Sequence, residues 1–215
     1  MTPETQQNTP VILAMTGASG AVYGLRLLEC LLTAQRPVYL VVSRAAQLVF
    51  ATETELEIPA RPAEMQAYFC ARYNAPRELL TVYSREDWMA PIASGSHRAR
   101  HMVVCPCTTG TLAAIAQGNS DNLIERAADV MLKEQRRLLM VVRETPLSAI
   151  HLENMLKLAR LGVTMLPANP GFYQQPKTIQ DLVDFVVARI LDHLDVAHSL
   201  LPRWGDGGAE ILENG

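Results

Sequence analysis

The chain has 215 residues, 49% of them hydrophobic and 19% charged, which suits one compact globular domain and argues against a disordered or fibrous chain. Against 22 Asp and Glu stand 19 Lys and Arg, a formal charge of −3 with no basic stretch, so a strong reader of nucleic acid or of an anionic membrane is not expected. No apolar run approaches the roughly 20 residues of a membrane span, and residues 1–9 lack the pattern of a signal peptide, so a cytoplasmic location is expected.

Residues 1–9 read as a disordered extension, 10–204 as a single domain, and the acidic, Gly-rich residues 205–215 as a flexible tail. Residues 10–16 (PVILAMT) form an apolar run of strand length, and residues 20–32 follow with helical spacing through Val22, Leu25, Leu28 and Leu32. A second strand is expected at 37–43 (PVYLVVS) and a helix from 44 to about 54. Residues 55–100 are less regular, with a short helix at 63–73 and a loop through Trp88, Ser94 and Gly95. Such a long irregular stretch in a compact domain usually serves function.

Strand 101–106 (HMVVCP) comes next, with helices at 109–116 and 122–135. Strand 138–143 (LLMVVR), helix 148–160, strand 163–167 (VTMLP) and helix 178–194 close the pattern. Five apolar strands alternating with helices read as an α/β fold with three layers, a parallel sheet covered on both faces. The four cysteines, Cys30, Cys70, Cys105 and Cys107, are too few for a disulfide scaffold in a chain of this length and read as reduced core thiols.

Ligands of an open parallel sheet bind beyond the carboxyl ends of its strands. There this sequence is small and polar: Gly17, Ala18, Ser19 and Gly20 after the first strand, Ser43 after the second, and Thr108, Thr109, Gly110 and Thr111 after the third. Small residues and hydroxyls at helix N-termini suit an anion, because free N–H groups and the helix dipole both favour it, although N-capping alone also selects Ser and Thr. No G-x-G-x-x-G and no Walker A sequence is present, and Ser19 sits in G-x-S-G-A, with Ala21 where a nucleophile elbow has its second glycine. The five histidines show no zinc-type spacing, so no metal is expected.

Four cations are candidates for a second phosphate. Arg126 and Lys133 lie two turns apart on one helix face, Arg143 ends an apolar strand at the ligand edge, and Arg189 borders the apolar stripe of the last helix. Converging on one crevice, the four would suit a second phosphate group, which Arg holds bidentately and Lys as a point charge.

Several separated motifs carry a family resemblance. Met15-Thr16-Gly17-Ala18-Ser19-Gly20-Ala21-x-Tyr23-Gly24, Cys105-Pro106-Cys107-Thr108-Thr109-Gly110-Thr111, the stretch from Asn122 through Arg126 to Lys133, and Arg143-Glu144-Thr145-Pro146 all resemble the UbiX family of flavin prenyltransferases. Pro170-Gly171-Phe172-Tyr173 and Leu201-Pro202-Arg203-Trp204 extend the match over about residues 10 to 204. The resemblance implies a doubly wound, flavodoxin-like or Rossmann-like fold and a homo-oligomer, dodecameric in that family. It also implies the activity: transfer of a dimethylallyl group from dimethylallyl phosphate to N5 and C6 of reduced FMN, without a metal, giving prenylated FMN for UbiD-type decarboxylases of ubiquinone or aromatic-acid metabolism.

Carried onto this sequence, the resemblance assigns FMN contacts to Gly17, Ala18, Ser19, Ser43, Thr108, Thr109, Gly110, Thr111 and Arg143. It assigns the prenyl phosphate to Ser94, Gly95, Arg126, Lys133, Tyr173 and Arg189, and catalysis to Ser19, Glu53, Trp88, Lys133 and Glu144. In that scheme Glu53 is an acid that protonates the departing phosphate and needs a raised pKa, Glu144 or the phosphate takes the C6 proton, and Trp88 offers its π face to the allylic cation. Two positions depart from the usual pattern: Thr108 stands where Ser is common, and Lys133-Glu134-Gln135-Arg136-Arg137 replaces Lys-Glu-Arg-Arg-Pro. The alternatives are an FMN-dependent decarboxylase of related fold, for which the Pro-x-Met-Asn segment is missing, direct decarboxylation of an aromatic acid, and a non-catalytic carrier of FMN or its product.

Overall fold

The structure, a computed structural model, describes residues 9–202. The expected N-terminal extension, apart from Thr9, and the expected C-terminal tail lie outside the described residues, as do Arg203 and Trp204.

Runs of β-branched and aliphatic residues form the strands β1 (Val11–Met15), β2 (Val38–Val42), β4 (His101–Cys107) and β5 (Arg137–Val142). Two shorter strands complete the sheet: β3 (Leu80–Tyr83) and β6 (Thr164–Met165). All neighbours are parallel, in the order β3-β2-β1-β4-β5-β6, with Val11 beside Val38 on one side and His101 on the other. The chain therefore reverses its direction of winding between β1 and β4, the place where doubly wound sheets open a crevice.

Two expectations are corrected here. The sheet has six strands rather than five, because Leu80–Tyr83 adds an edge strand inside the irregular stretch; its pattern alternates between buried and half-buried residues over only four positions. The last strand is two residues long rather than five, and its pairing to β5 covers only Thr164 and Met165.

Among the described residues seven α-helices flank the sheet: α1 (Ala21–Thr33), α2 (Arg44–Glu53), α3 (Pro62–Arg72), α4 (Thr109–Gln117), α5 (Leu123–Lys133), α6 (Ala149–Arg160) and α7 (Ile179–His193). Strand alternation splits the core in two. Val11, Leu13 and Met15 of β1 face α1, α2, α3 and α7, where Leu28, Phe50, Phe69 and Val187 are buried. Ile12 and Ala14 face the other layer, with Leu112 of α4, Ala127 and Met131 of α5 and Leu158 of α6. Hence α5 and α7 lie on opposite faces of the sheet. Among the described residues no helix is long and apolar enough to cross a membrane.

All four cysteines are free. Cys105 and Cys107 are fully buried in β4, and burial pushes both thiols well above the ordinary range, so they are packing groups and not nucleophiles.

Candidate active site

The crevice at the winding reversal is locked by Thr16, the residue after β1. Its Oγ1 donates to the Pro106 carbonyl at 2.8 Å and accepts from the Thr108 N–H at 2.9 Å, which ties the ends of β1 and β4 together. Two helices aim their N-termini into the gap. Ser43 caps α2, its hydroxyl accepting from the Ala46 N–H at 3.0 Å, and Thr108 caps α4, accepting from the Thr111 N–H at 3.0 Å and donating to the Thr111 hydroxyl at 2.9 Å. Thr109 and Gly110 form the first turn of α4 behind that cap. Thr16, Gly17, Ser43, Thr108, Thr111 and Asn122 line a cleft of about 170 Å³.

Gly17 has a steric reason to be glycine, because a Cβ there would sit 2.4 Å from the Ala45 Cβ in the first turn of α2. Ala18 is buried behind it. Arg143, just past β5, donates through Nε to the Ser19 carbonyl at 3.1 Å and so brings a cation to the β1–α1 loop. Glu144 follows at the same edge, its Oε1 accepting from the Thr145 N–H at 3.1 Å.

Glu53, the last residue of α2, reaches the start of α1. No side chain within the Gly20 cap serves α1; instead Glu53 Oε2 accepts from the Gly20 N–H at 2.8 Å and the Ala21 N–H at 2.9 Å. Burial alone would raise its pKa, but the Ser19 hydroxyl, the Ala21 and Gly20 N–H groups and Arg143 outweigh it and hold the carboxyl below the ordinary carboxylate range. This corrects the sequence expectation of a raised pKa. Helix N-termini and hydroxyl donors favour the ionised form, and Glu53 has both.

The four cations do not meet within one chain. Arg126 and Lys133 are on α5, and Arg189 is on α7 behind the opposite face of the sheet, paired with Asp192 at 2.6 Å. Of the four, only Arg143 is at the sheet edge that carries the cleft, held on the β1–α1 loop through the Ser19 carbonyl. The N-terminus of α5 touches the cleft through Asn122 and Ile124, but Lys133 ends this 11-residue helix, about 16 Å further along its axis. There it pairs with Glu134, beside Gly95. Arg126 donates through Nε to the Ala93 carbonyl at 2.9 Å and pairs with Asp129 at 2.7 Å. The candidate set thus falls into three groups: the flavin-type cleft at the sheet edge, a phosphate-type group of Ser94, Gly95, Arg126 and Lys133 along α5, and Tyr173 with Arg189 on the α7 face. Trp88 lies in the loop between β3 and β4 that runs over α5, 48% exposed, and Tyr173 packs edge-on against Phe185 while remaining 57% exposed.

Three polar lining residues escaped the sequence reading as ligands. Thr16 and Asn122 lie inside the quoted motifs, and a hydroxyl ending a strand or an Asn before a helix was the available signal. Arg85 had none: it follows the unexpected edge strand and is held at the cleft by the Leu123 N–H, which donates to its carbonyl at 2.8 Å.

A family model described as Flavoprotein matches residues 1–191. Flavin prenyltransferase UbiX of Pseudomonas aeruginosa is 58% identical over 196 residues, which cover 91% of this chain and 94% of that relative. The chain belongs to the UbiX family of flavin prenyltransferases. Among solved structures, AnUbiX in complex with FMN and dimethylallyl pyrophosphate superposes with a TM-score of 0.82 at 40% identity, covering 94% of this chain and 100% of that one. A dodecameric FMN-dependent UbiX-like decarboxylase from Escherichia coli gives a TM-score of 0.80 at 42% identity over 91% of this chain and 98% of its own.

The UbiX family's flavin fits the cleft on chemical grounds. Two capped helix N-termini offer N–H groups and hydroxyls to a phosphate, and Gly17 and Ala18 let the backbone approach a planar ring. Thr108→Val keeps the shape of the cap and removes its acceptor. We expect a loss of about 1 kcal/mol in stability and weaker FMN binding, read by thermal melting and by flavin fluorescence titration; unchanged values in both would show that Thr108 holds neither the helix nor the phosphate.

Proposed function

We propose that the protein is a metal-independent flavin prenyltransferase, one domain over residues 10–204, that transfers the dimethylallyl group of dimethylallyl phosphate to reduced FMN. What carries this reading is the anion-suited cleft at the β1–β4 reversal, lined by Ser43, Thr108 and Thr111 with Arg143 on the adjoining β1–α1 loop, in a fold that superposes on AnUbiX with a TM-score of 0.82. Bound reduced FMN supplies two nucleophilic atoms: the allylic C–O bond breaks, N5–C and C6–C bonds form, and the displaced protons go to the leaving phosphate and the alkene carbon.

The chain's own residues do the rest. Arg143 and the caps hold the flavin phosphate side of the cleft. Lys133 and Arg126 meet the charge that grows on the leaving phosphate, as a cation placed before the reaction does at little cost in reorganisation. Trp88 presents an aromatic face, which attracts an allylic cation once water is excluded.

These groups lie apart within one chain, so the complete site is assembled from several copies. Arg126 with Lys133, and Tyr173 with Arg189, are brought to the cleft by neighbouring copies, in a homododecamer like the Escherichia coli relative. Exposed apolar side chains support such an assembly: Met89 is 91% exposed, Ile150 68%, Leu161 63% and Phe172 68%. The product, prenylated FMN, passes to a UbiD-type decarboxylase in the cytoplasm. A mere carrier of flavin needs no second anion group, and Lys133, Arg126 and Arg189 therefore favour the enzyme over the carrier.

The test is anaerobic. Protein is incubated with reduced FMN and dimethylallyl phosphate in the presence of a chelator, and the released flavin is weighed by mass spectrometry. A gain of one prenyl unit is expected; FMN returned unmodified after tight binding would refute the transferase and favour the carrier.

A further inference from the structure

Beyond Lys133 the chain turns at Gln135, and Arg136 folds under the loop that leads into β4. Its Nη2 donates to the Gly95 carbonyl at 2.5 Å, and its Nη1 donates to the Ala99 carbonyl at 3.2 Å and to His97 Nε2 at 3.1 Å. A guanidinium has donors only, so the imidazole nitrogen that faces it must be unprotonated. His97 meets that requirement: it is buried, and burial together with Arg136 and Arg100 pushes its pKa down to about 4 against the opposing pull of Glu134. On the other side of the loop Arg126 holds the Ala93 carbonyl.

The segment gripped in this way is the one that meets Lys133. A Cβ added to Gly95 would fall 2.3 Å from Glu134 Oε1 and 3.1 Å from Lys133 Nζ, so the loop backbone lies directly on the Lys133–Glu134 pair. Ser94 and Ser96 add two hydroxyls, 3.0 Å apart. None of the roles given to the site residues uses Arg136 or His97.

We propose that Arg136 is a positioning residue for the phosphomonoester group: by holding the carbonyls of Gly95 and Ala99, with His97 as its third partner, it keeps Ser94 and Gly95 packed against Lys133 before the phosphate arrives. The guanidinium fork is suited to this because it reaches several acceptors in one plane, which an ammonium does not. A loop fixed in advance saves the ordering cost that binding would otherwise carry. That the phosphate belongs to a prenyl donor rests on the function proposed above; the clamp itself rests on the contacts of Arg136.

The experiment uses FMN-loaded Arg136→Ala and the native protein. The variant is expected to raise KM for dimethylallyl phosphate about tenfold or more, with a smaller change in kcat and with FMN affinity unchanged. Added guanidinium ion is expected to restore much of the loss, which a merely structural defect would not allow. Amide hydrogen exchange is expected to rise in residues 94–99 and not in β1 or β2. A KM within twofold of the native value, or a parallel fall in FMN affinity, would overturn the proposal, as would unchanged exchange in the loop. Should the alanine variant fail to fold, Arg136→Lys is expected to give an intermediate KM, and a native KM there overturns the proposal equally. If native protein forms no prenylated flavin, the functional reading fails, while the exchange data still decide the clamp.

Discussion

Lys133→Met is expected to slow flavin prenylation by about 100- to 1,000-fold and to leave FMN binding unchanged. Lys133 is surface-placed on one chain, with 46% of its side chain exposed, so the substitution should cost little stability. Its partner is held ready for this use. The hydrogen bond and charge of Lys133, with Arg136 behind them, keep the Glu134 carboxyl below the usual range against the opposing effect of burial. An ionised Glu134 fixes the ammonium beside Gly95 until a phosphate competes for it. The decisive control is complementation. Gly17→Val breaks the cleft, since even a Cβ collides with Ala45 there, and it leaves Lys133 intact. Coexpressed with Lys133→Met, it should yield mixed oligomers that regain activity, because some sites then draw an intact cleft and an intact Lys133 from different chains. Two inactive variants that stay inactive together would show that each site is built within one chain.

What the sequence made readable follows from period and length. β1, β2, β4 and β5 are almost wholly buried and read as continuous apolar runs, and α2, α4, α5, α6 and α7 show Ser, Thr or Asn caps. β3 does not, because four residues that alternate at a sheet edge look like the loop around them. The cleft residues were legible because they follow strand ends, and parallel strands bring all such ends to one edge. The distribution of the cations was not legible. Periodicity says that Arg126 and Lys133 share a helix face, but the face of the sheet on which each helix lands depends on where the winding reverses, and this is a property of the whole strand order. The state of Glu53 was hidden for a similar reason: at the end of α2 it reads as a solvated carboxylate, and its N–H donors come from residues 32 and 33 positions earlier.

That state leads to the other large prediction. At pH 7 a carboxyl with a pKa below the ordinary Glu value of about 4.3 is protonated in well under about 1% of molecules. As a donor of protons Glu53 would be nearly empty; as an acceptor it is ready, charged and oriented by Ser19 and by the Gly20 and Ala21 N–H groups. We therefore expect Glu53 to accept the C6 proton during ring closure and pass it on to the departed phosphate, rather than to act as the acid that starts the departure. Glu53→Gln, which keeps an oxygen for the α1 N-terminus and removes the basic site, should lower turnover by about 100-fold or more with FMN still bound. The pH–rate profile separates the two roles. A base must be ionised, so activity should hold through neutral pH and fall only as pH drops through the depressed pKa of Glu53; an acid of that pKa would lose activity as pH rises above it. Stability follows the same sign. A carboxyl with a lowered folded pKa contributes stability that is fully present above its unfolded pKa and is lost as pH falls through the folded one. The stability difference between native protein and Glu53→Gln should therefore be largest at neutral pH and shrink below about pH 4. A variant that keeps full turnover, or a native profile whose activity rises as Glu53 protonates, would remove the carboxylate from the chemistry and leave it only its place at the start of α1.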